Sequence, residues 1–110
     1  MEEMTLREYQ ELARRTQNFE LTNKERMLHA LHGISAETGE IHGFFQKIYQ
    51  GHEFSVDELK KEIGDLEWFV SELCDCMGFE LEDVCRGNIE KLKKRYPEGF
   101  EAERSVNRDE

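Results

Sequence analysis

Residues 55–78 read SVDELKKEIGDLEWFVSELCDCMG, and every part of that stretch points to one helix. Ser55-Val56-Asp57-Glu58 matches the S/T-x-x-E capping box, in which each of the two end side chains satisfies an orphan backbone N–H of the first turn. Val56, Leu59, Ile63, Leu66, Val70, Leu73 and Met77 then recur at the 3.6-residue period of a helix with one buried face. Gly78 follows as a left-handed stop.

The same pattern recurs on either side. Thr22-Asn23-Lys24-Glu25 opens a helix expected over 23–50, striped by Met27, Leu31, Ile34, Ile41, Phe45 and Ile48 and closed by Gly51. Thr5-Leu6-Arg7-Glu8 opens another over 6–18, with Leu6, Tyr9, Leu12 and Ala13 inward. A fourth starts near Glu80 or Leu81, buries Leu81, Val84, Ile89 and Leu92, and ends before Pro97. No run shows the strict alternation of a half-buried strand. The expected fold is all-α, an antiparallel four-helix bundle with short loops. It forms one domain over 1–100, followed by a polar, frayed tail over 101–110.

Charge narrows the partners. Twenty-five acidic against 15 basic side chains give a net charge of −10, which disfavours nucleic acid and anionic membrane surfaces, because both are held by surplus Lys and Arg. No apolar run approaches the roughly 20 residues of a membrane span, and the acidic start Met1-Glu2-Glu3-Met4 is unlike a secretory signal. Cys74, Cys76 and Cys85 are an odd number and are read as reduced thiols of a cytoplasmic protein, packed as small apolar groups.

Position, not number, makes four acids stand out. Glu37-Thr38-Gly39-Glu40 and Glu62-Ile63-Gly64-Asp65 each hold an acidic pair at i, i+3, so both members project from one side of their helix. At about 100° per residue, Glu37 lies about 60° from the centre of its apolar stripe and Glu40 about 120°, and Glu62 and Asp65 fall at nearly the same offsets. If the two helices pack antiparallel, the four carboxylates converge and repel unless cations intervene; hard oxygen ligands of this kind suit Mg²⁺ or Mn²⁺. Gly39 and Gly64 each cost about 1 kcal/mol mid-helix, a cost explained if a neighbouring helix or a ligand comes close there. The plain alternative is a pair of solvated faces, which the matching offsets and glycines disfavour.

With these residues the chain resembles the MazG-like members of the all-alpha nucleoside triphosphate pyrophosphohydrolases. Their E-x-x-E…E-x-x-D signature matches Glu37, Glu40, Glu62 and Asp65, and a second segment matches Asn88-x-x-Lys91-x-x-x-Arg95-Tyr96-Pro97. The resemblance covers about residues 5 to 100. It implies Mg²⁺-dependent hydrolysis of a nucleoside triphosphate to the monophosphate and pyrophosphate, by a helical protein assembled as a homodimer or homotetramer. The residues agree with that chemistry. Attack of water on phosphorus needs a metal and positive charge on the departing pyrophosphate. Asn88, Lys91 and Arg95 share one helix face at i, i+3, i+7, and Lys47 is a further phosphate contact. Glu37, nearest the apolar stripe, is the expected base, because desolvation raises a carboxyl's pKa.

Two other readings compete. A non-catalytic helical module could bind a nucleotide or a protein partner. A di-metal redox bundle is disfavoured, because no E-x-x-H motif is present and His29, His32, His42 and His52 have no paired spacing with the acids. Trp68 is read as packing, and Phe44 and Phe45 as core or subunit contacts that could also border a base.

Overall fold

Helix starts in this protein are set by side chains that reach back to their own first turn. In the computed structural model, which describes residues 2–107, Thr5 Oγ1 accepts from Glu8 N at 3.1 Å while Glu8 Oε1 accepts from Thr5 N at 2.9 Å. Thr22 and Glu25 repeat the arrangement at 3.1 and 2.9 Å. These boxes open α1 (Leu6–Arg14) and α2 (Asn23–Ile48). The third is only half made: Ser55 caps α3 (Val56–Met77), but the Glu58 side chain turns outward, 3.7 Å from Lys61 Nζ.

Helix ends follow from local chemistry too. α3 stops at Gly78 (φ 77°), with Phe79 N bonded to Cys74 O at 2.8 Å, the 6→1 bond of a left-handed glycine stop. Gly51 (φ 93°) does the same after α2, through His52 N to Lys47 O at 3.1 Å. α1 is shorter than expected, ending at Arg14. Thr16 Oγ1 donates to Ala13 O at 2.8 Å, and the backbone leaves through i→i+3 bonds from Thr16 and Gln17; a local side-chain bond of this kind competes with the helical one.

α4 (Leu81–Arg95) and a short α5 (Ala102–Val106) complete the described residues, which contain no strand. α5 lies in the segment expected to be a frayed tail; residues 108–110 of that tail fall outside the described residues. Among the described residues, no helix is long and apolar enough to cross a membrane.

α2 and α3 form an antiparallel pair, as the matched levels His29–Glu72, Gly33–Phe69 and Glu37–Glu62 show. At Gly33 the Phe69 ring of α3 lies directly against α2, where a Cβ would collide with it. Nothing lies within 4 Å of a Cβ at Gly39 or Gly64. The helix-approach explanation of those two glycines therefore belongs to Gly33.

α1 packs on α3 through polar groups. Asp75 accepts from Gln10 Nε2 at 2.7 Å, Arg14 at 2.8 Å and Gln17 Nε2 at 2.6 Å. Gln10 also donates to Phe79 O at 3.0 Å and accepts from Leu81 N at 2.8 Å, supplying the cap that Glu80 does not give α4. Trp68 Nε1 donates to Thr16 Oγ1 at 2.8 Å and its ring meets Phe69 edge-on.

α4 packs against α1 and makes only marginal contact with the other helices, so the described residues do not close a four-helix bundle within one chain. The apolar stripes show the consequence. Ala30, Leu81 and Ala13 are buried, but Leu6, Leu12, Leu31, Phe45, Val56, Ile63, Met77, Val84 and Ile89, all expected inside, are exposed. The neighbouring helices do not cover the full width of these stripes: α2 has α3 as its main neighbour and α4 has α1. The three cysteines are free, Cys74 and Cys76 buried, and burial pushes both thiols up from their usual pKa.

Candidate functional site

The antiparallel register sets Glu37 of α2 against Glu62 and Asp65, one turn apart on α3. One carboxylate oxygen from each of the three lies within 4.8 Å of the others. Glu37 Oε2 is buried and has no hydrogen-bond partner, a costly state for a charged oxygen. Desolvation accordingly pushes the Glu37 carboxyl above the usual carboxylate range. The close approach of the Glu62 carboxyl and the charges of Asp65, Glu62 and Glu40 act in the same direction. Without a proton or a cation between them, these groups have only lone pairs to offer one another.

Glu40 lies one turn along α2, at the wall of a cleft of about 510 Å³ that Glu62 also lines. Ala36, Gly39, Glu40, Gly43, Phe44 and Lys47 form one wall. Their spacing of three or four residues identifies a single face of α2. Glu58, Glu62 and the cap residue Ser55 stand on the α3 side, with His52 and Glu53 from the connecting loop. The volume falls within the roughly 300–1,000 Å³ of small-molecule sites. Glu62 thus belongs to both the acidic cluster and the cleft.

A model of the MazG nucleotide pyrophosphohydrolase domain matches residues 1–100 of the chain. The chain belongs to the MazG family. Among its relatives, the "Gene 37 protein" of Mycobacterium phage L5 is 31% identical to it over 72 residues, which is 61% of this chain and 63% of that protein. The MazG-family chain thus spans somewhat less than two thirds of the length of the curated relative it matches. No solved structure matches it.

Five of the eight sequence-derived site residues come together. Glu37, Glu62 and Asp65 cluster, and Glu40 and Lys47 share the adjoining cleft. Asn88, Lys91 and Arg95 do not join them: they sit on α4, none lines the cleft, and Asn88 and Lys91 are exposed. Arg95 Nε is buried without a partner, and its guanidinium lies 5.8 Å from the Tyr96 ring centroid.

Sequence reasoning missed Gly43, His52, Glu53, Ser55 and Glu58 as cleft residues of this MazG-family chain. Gly43 was findable, because it continues the small-residue face begun by Ala36 and Gly39. The loop residues carried no such signal, since their placement depends on how the chain turns after Gly51. A second acidic group, Glu80, Glu82 and Asp83, also has its oxygens within 4.8 Å. Arg7 donates to Glu80 at 2.9 Å and to Glu82 at 3.0 Å, so that group already has its cation. The first cluster includes no basic side chain. Its all-oxygen donor set and the orphaned Glu37 Oε2 fit a hard divalent ion.

Proposed function

We propose that this chain hydrolyses a nucleoside triphosphate to its monophosphate and pyrophosphate, with Mg²⁺ as the ion and Mn²⁺ as a substitute. The observation that carries the reading is that Glu37, which has a buried and unpartnered carboxylate oxygen, clusters with Glu62 and Asp65 beside an open cleft. Membership of the MazG family supports the same reaction class.

Glu37, Glu40, Glu62 and Asp65 are the groups that would hold the metal. An ion held by them would neutralise phosphate oxygens and make water a better nucleophile at neutral pH. Glu37, which has a buried carboxylate oxygen without a hydrogen-bond partner, would accept the proton of the attacking water. Lys47 supplies positive charge to the phosphates from the cleft wall. Asn88, Lys91 and Arg95 serve the same substrate in an assembled dimer or tetramer, in which α4 of one copy meets the cleft of another. The reading places the protein in the cytoplasm, with no nucleic acid and no membrane as partner.

The test is a panel of nucleoside triphosphates incubated with Mg²⁺ and assayed separately for pyrophosphate and orthophosphate. Pyrophosphate is the expected product, and Glu40→Gln and Glu62→Gln should each lower its release by roughly two orders of magnitude or more, with unchanged helical circular dichroism. No cleavage across the panel, or full turnover by both variants, would leave a non-catalytic binding module instead.

A further inference from the structure

The basic side chains of the cleft stand apart from the acidic cluster, and this bears on which way round a triphosphate lies. Glu40 and Glu62 stand at the end beside the acidic cluster; towards the connecting loop are Lys47 and His52, with Glu53 next in the chain. Of the side chains lining the cleft, these two are the ones able to carry positive charge, against Glu40, Glu53, Glu58 and Glu62. Neither makes an ion pair or a side-chain hydrogen bond among the described residues. In a chain of net charge −10, a lysine in a cleft with four glutamates that bonds none of them is available to something else anionic.

The backbone fixes the pair together. Gly51, in the left-handed region at φ 93°, returns the chain so that His52 N bonds to Lys47 O at 3.1 Å. From Glu40 to Lys47 is seven residues, or about 10 Å along the axis of α2. A chain of phosphates can span that distance, whereas one phosphate cannot engage both ends. Between them Gly43 leaves an opening in the wall beside Phe44, because a Cβ there would meet nothing within 4 Å.

We propose that Lys47 and His52 receive the pyrophosphate end of the nucleotide, so that the triphosphate runs along the α2–α3 seam from the acids towards the connecting loop. The inference rests on the hydrolytic reading above and deepens it. When water's oxygen bonds to the α-phosphorus, the bond from that phosphorus to the α,β-bridging oxygen breaks. The pyrophosphate leaves with that electron pair, and the two side chains bind the charge it carries away. The nucleoside then lies on the opposite side of the acids.

Isothermal titration of the full chain in Mg²⁺ decides the orientation. Inorganic pyrophosphate is one titrant, and the monophosphate product of the fastest-cleaved triphosphate is the other. Lys47→Ala and His52→Ala should each weaken pyrophosphate binding about tenfold, the worth of one charge-assisted hydrogen bond, and leave the monophosphate within a factor of about two. Lys47→Arg should retain pyrophosphate affinity and Lys47→Gln should lose it, a pattern that a merely structural role would not produce. Both positions are exposed, and melting curves check that the variants fold. Weakened monophosphate binding with pyrophosphate unaffected would put the nucleoside at the loop and overturn the proposal, as would unchanged binding of both. Turnover of the wild-type preparation is measured alongside: if it cleaves no triphosphate, the parent reading itself has failed.

Discussion

Glu37 faces Glu62 and Asp65 with a carboxylate oxygen buried, and burial and that company together govern its titration. Its carboxyl is raised above the usual 4.5 by desolvation first, then by Glu62 and the adjacent charges. A raised folded-state pKa stabilises the fold below the unfolded value and loses that contribution as pH climbs through the raised value. The metal-free protein should therefore melt at falling temperature as pH rises above about 4.5 through that value, and Glu37→Gln should flatten this part of the curve. Mg²⁺ at a hundredfold excess over its dissociation constant should restore about 2.7 kcal/mol to the wild type and little to the variant, as thermal melts would show. The acidic cluster was legible in the sequence because a helix fixes the phase of its side chains, so matching offsets on two helices needed only an antiparallel packing to meet. The Asp75 network was not. Gln10, Arg14 and Gln17 reach it across 58 to 65 residues of chain, and no local period records which distant amide will face a given acid.

Helices α2 and α3 carry two kinds of glycine, and substitution should separate them. At Gly39 an added methyl meets nothing, so Gly39→Ala should raise stability by about 0.5–1 kcal/mol through helix propensity alone, while narrowing the cleft and weakening nucleotide binding. At Gly33 the same methyl runs into Phe69, and Gly33→Ala should destabilise by about 1–3 kcal/mol as the ring is displaced. Urea titrations of the two variants give the comparison, and shifts of the same sign would contradict the packing described. Element limits were the most legible feature of the sequence, since Thr5, Thr22, Ser55 and Gly78 act within a turn of themselves. Burial was the least. Periodicity says which face of a helix is apolar, but not whether one neighbour is broad enough to cover it, and Leu31, Ile63 and Ile89 are left in the open.

The radius of gyration is 17.2 Å, against about 13 Å for a compact domain of this length. The excess has a structural cause: α4 extends from α1 instead of lying in the α2–α3 groove. Exposed Leu28, Leu31, Ile63, Val84 and Ile89 would gain by being covered, each worth about 1.5–3 kcal/mol if fully buried. Sedimentation velocity should therefore give a mass at least twice the 13.1 kDa of one chain; a single-chain mass at micromolar concentration would show that these residues tolerate water. The amide of Gln10 has a further consequence at this scale. It alone ties Asp75, the Phe79 carbonyl and the first N–H of α4 at one point, so it acts as the pivot of a lever. From Leu81 to Arg95 the arm is about 21 Å, and a tilt of about 10° at the pivot sweeps its tip sideways by about 4 Å. An isosteric change at residue 10, remote from every acid of the cluster, would thus mis-aim the basic tip of α4 by more than the length of a hydrogen bond.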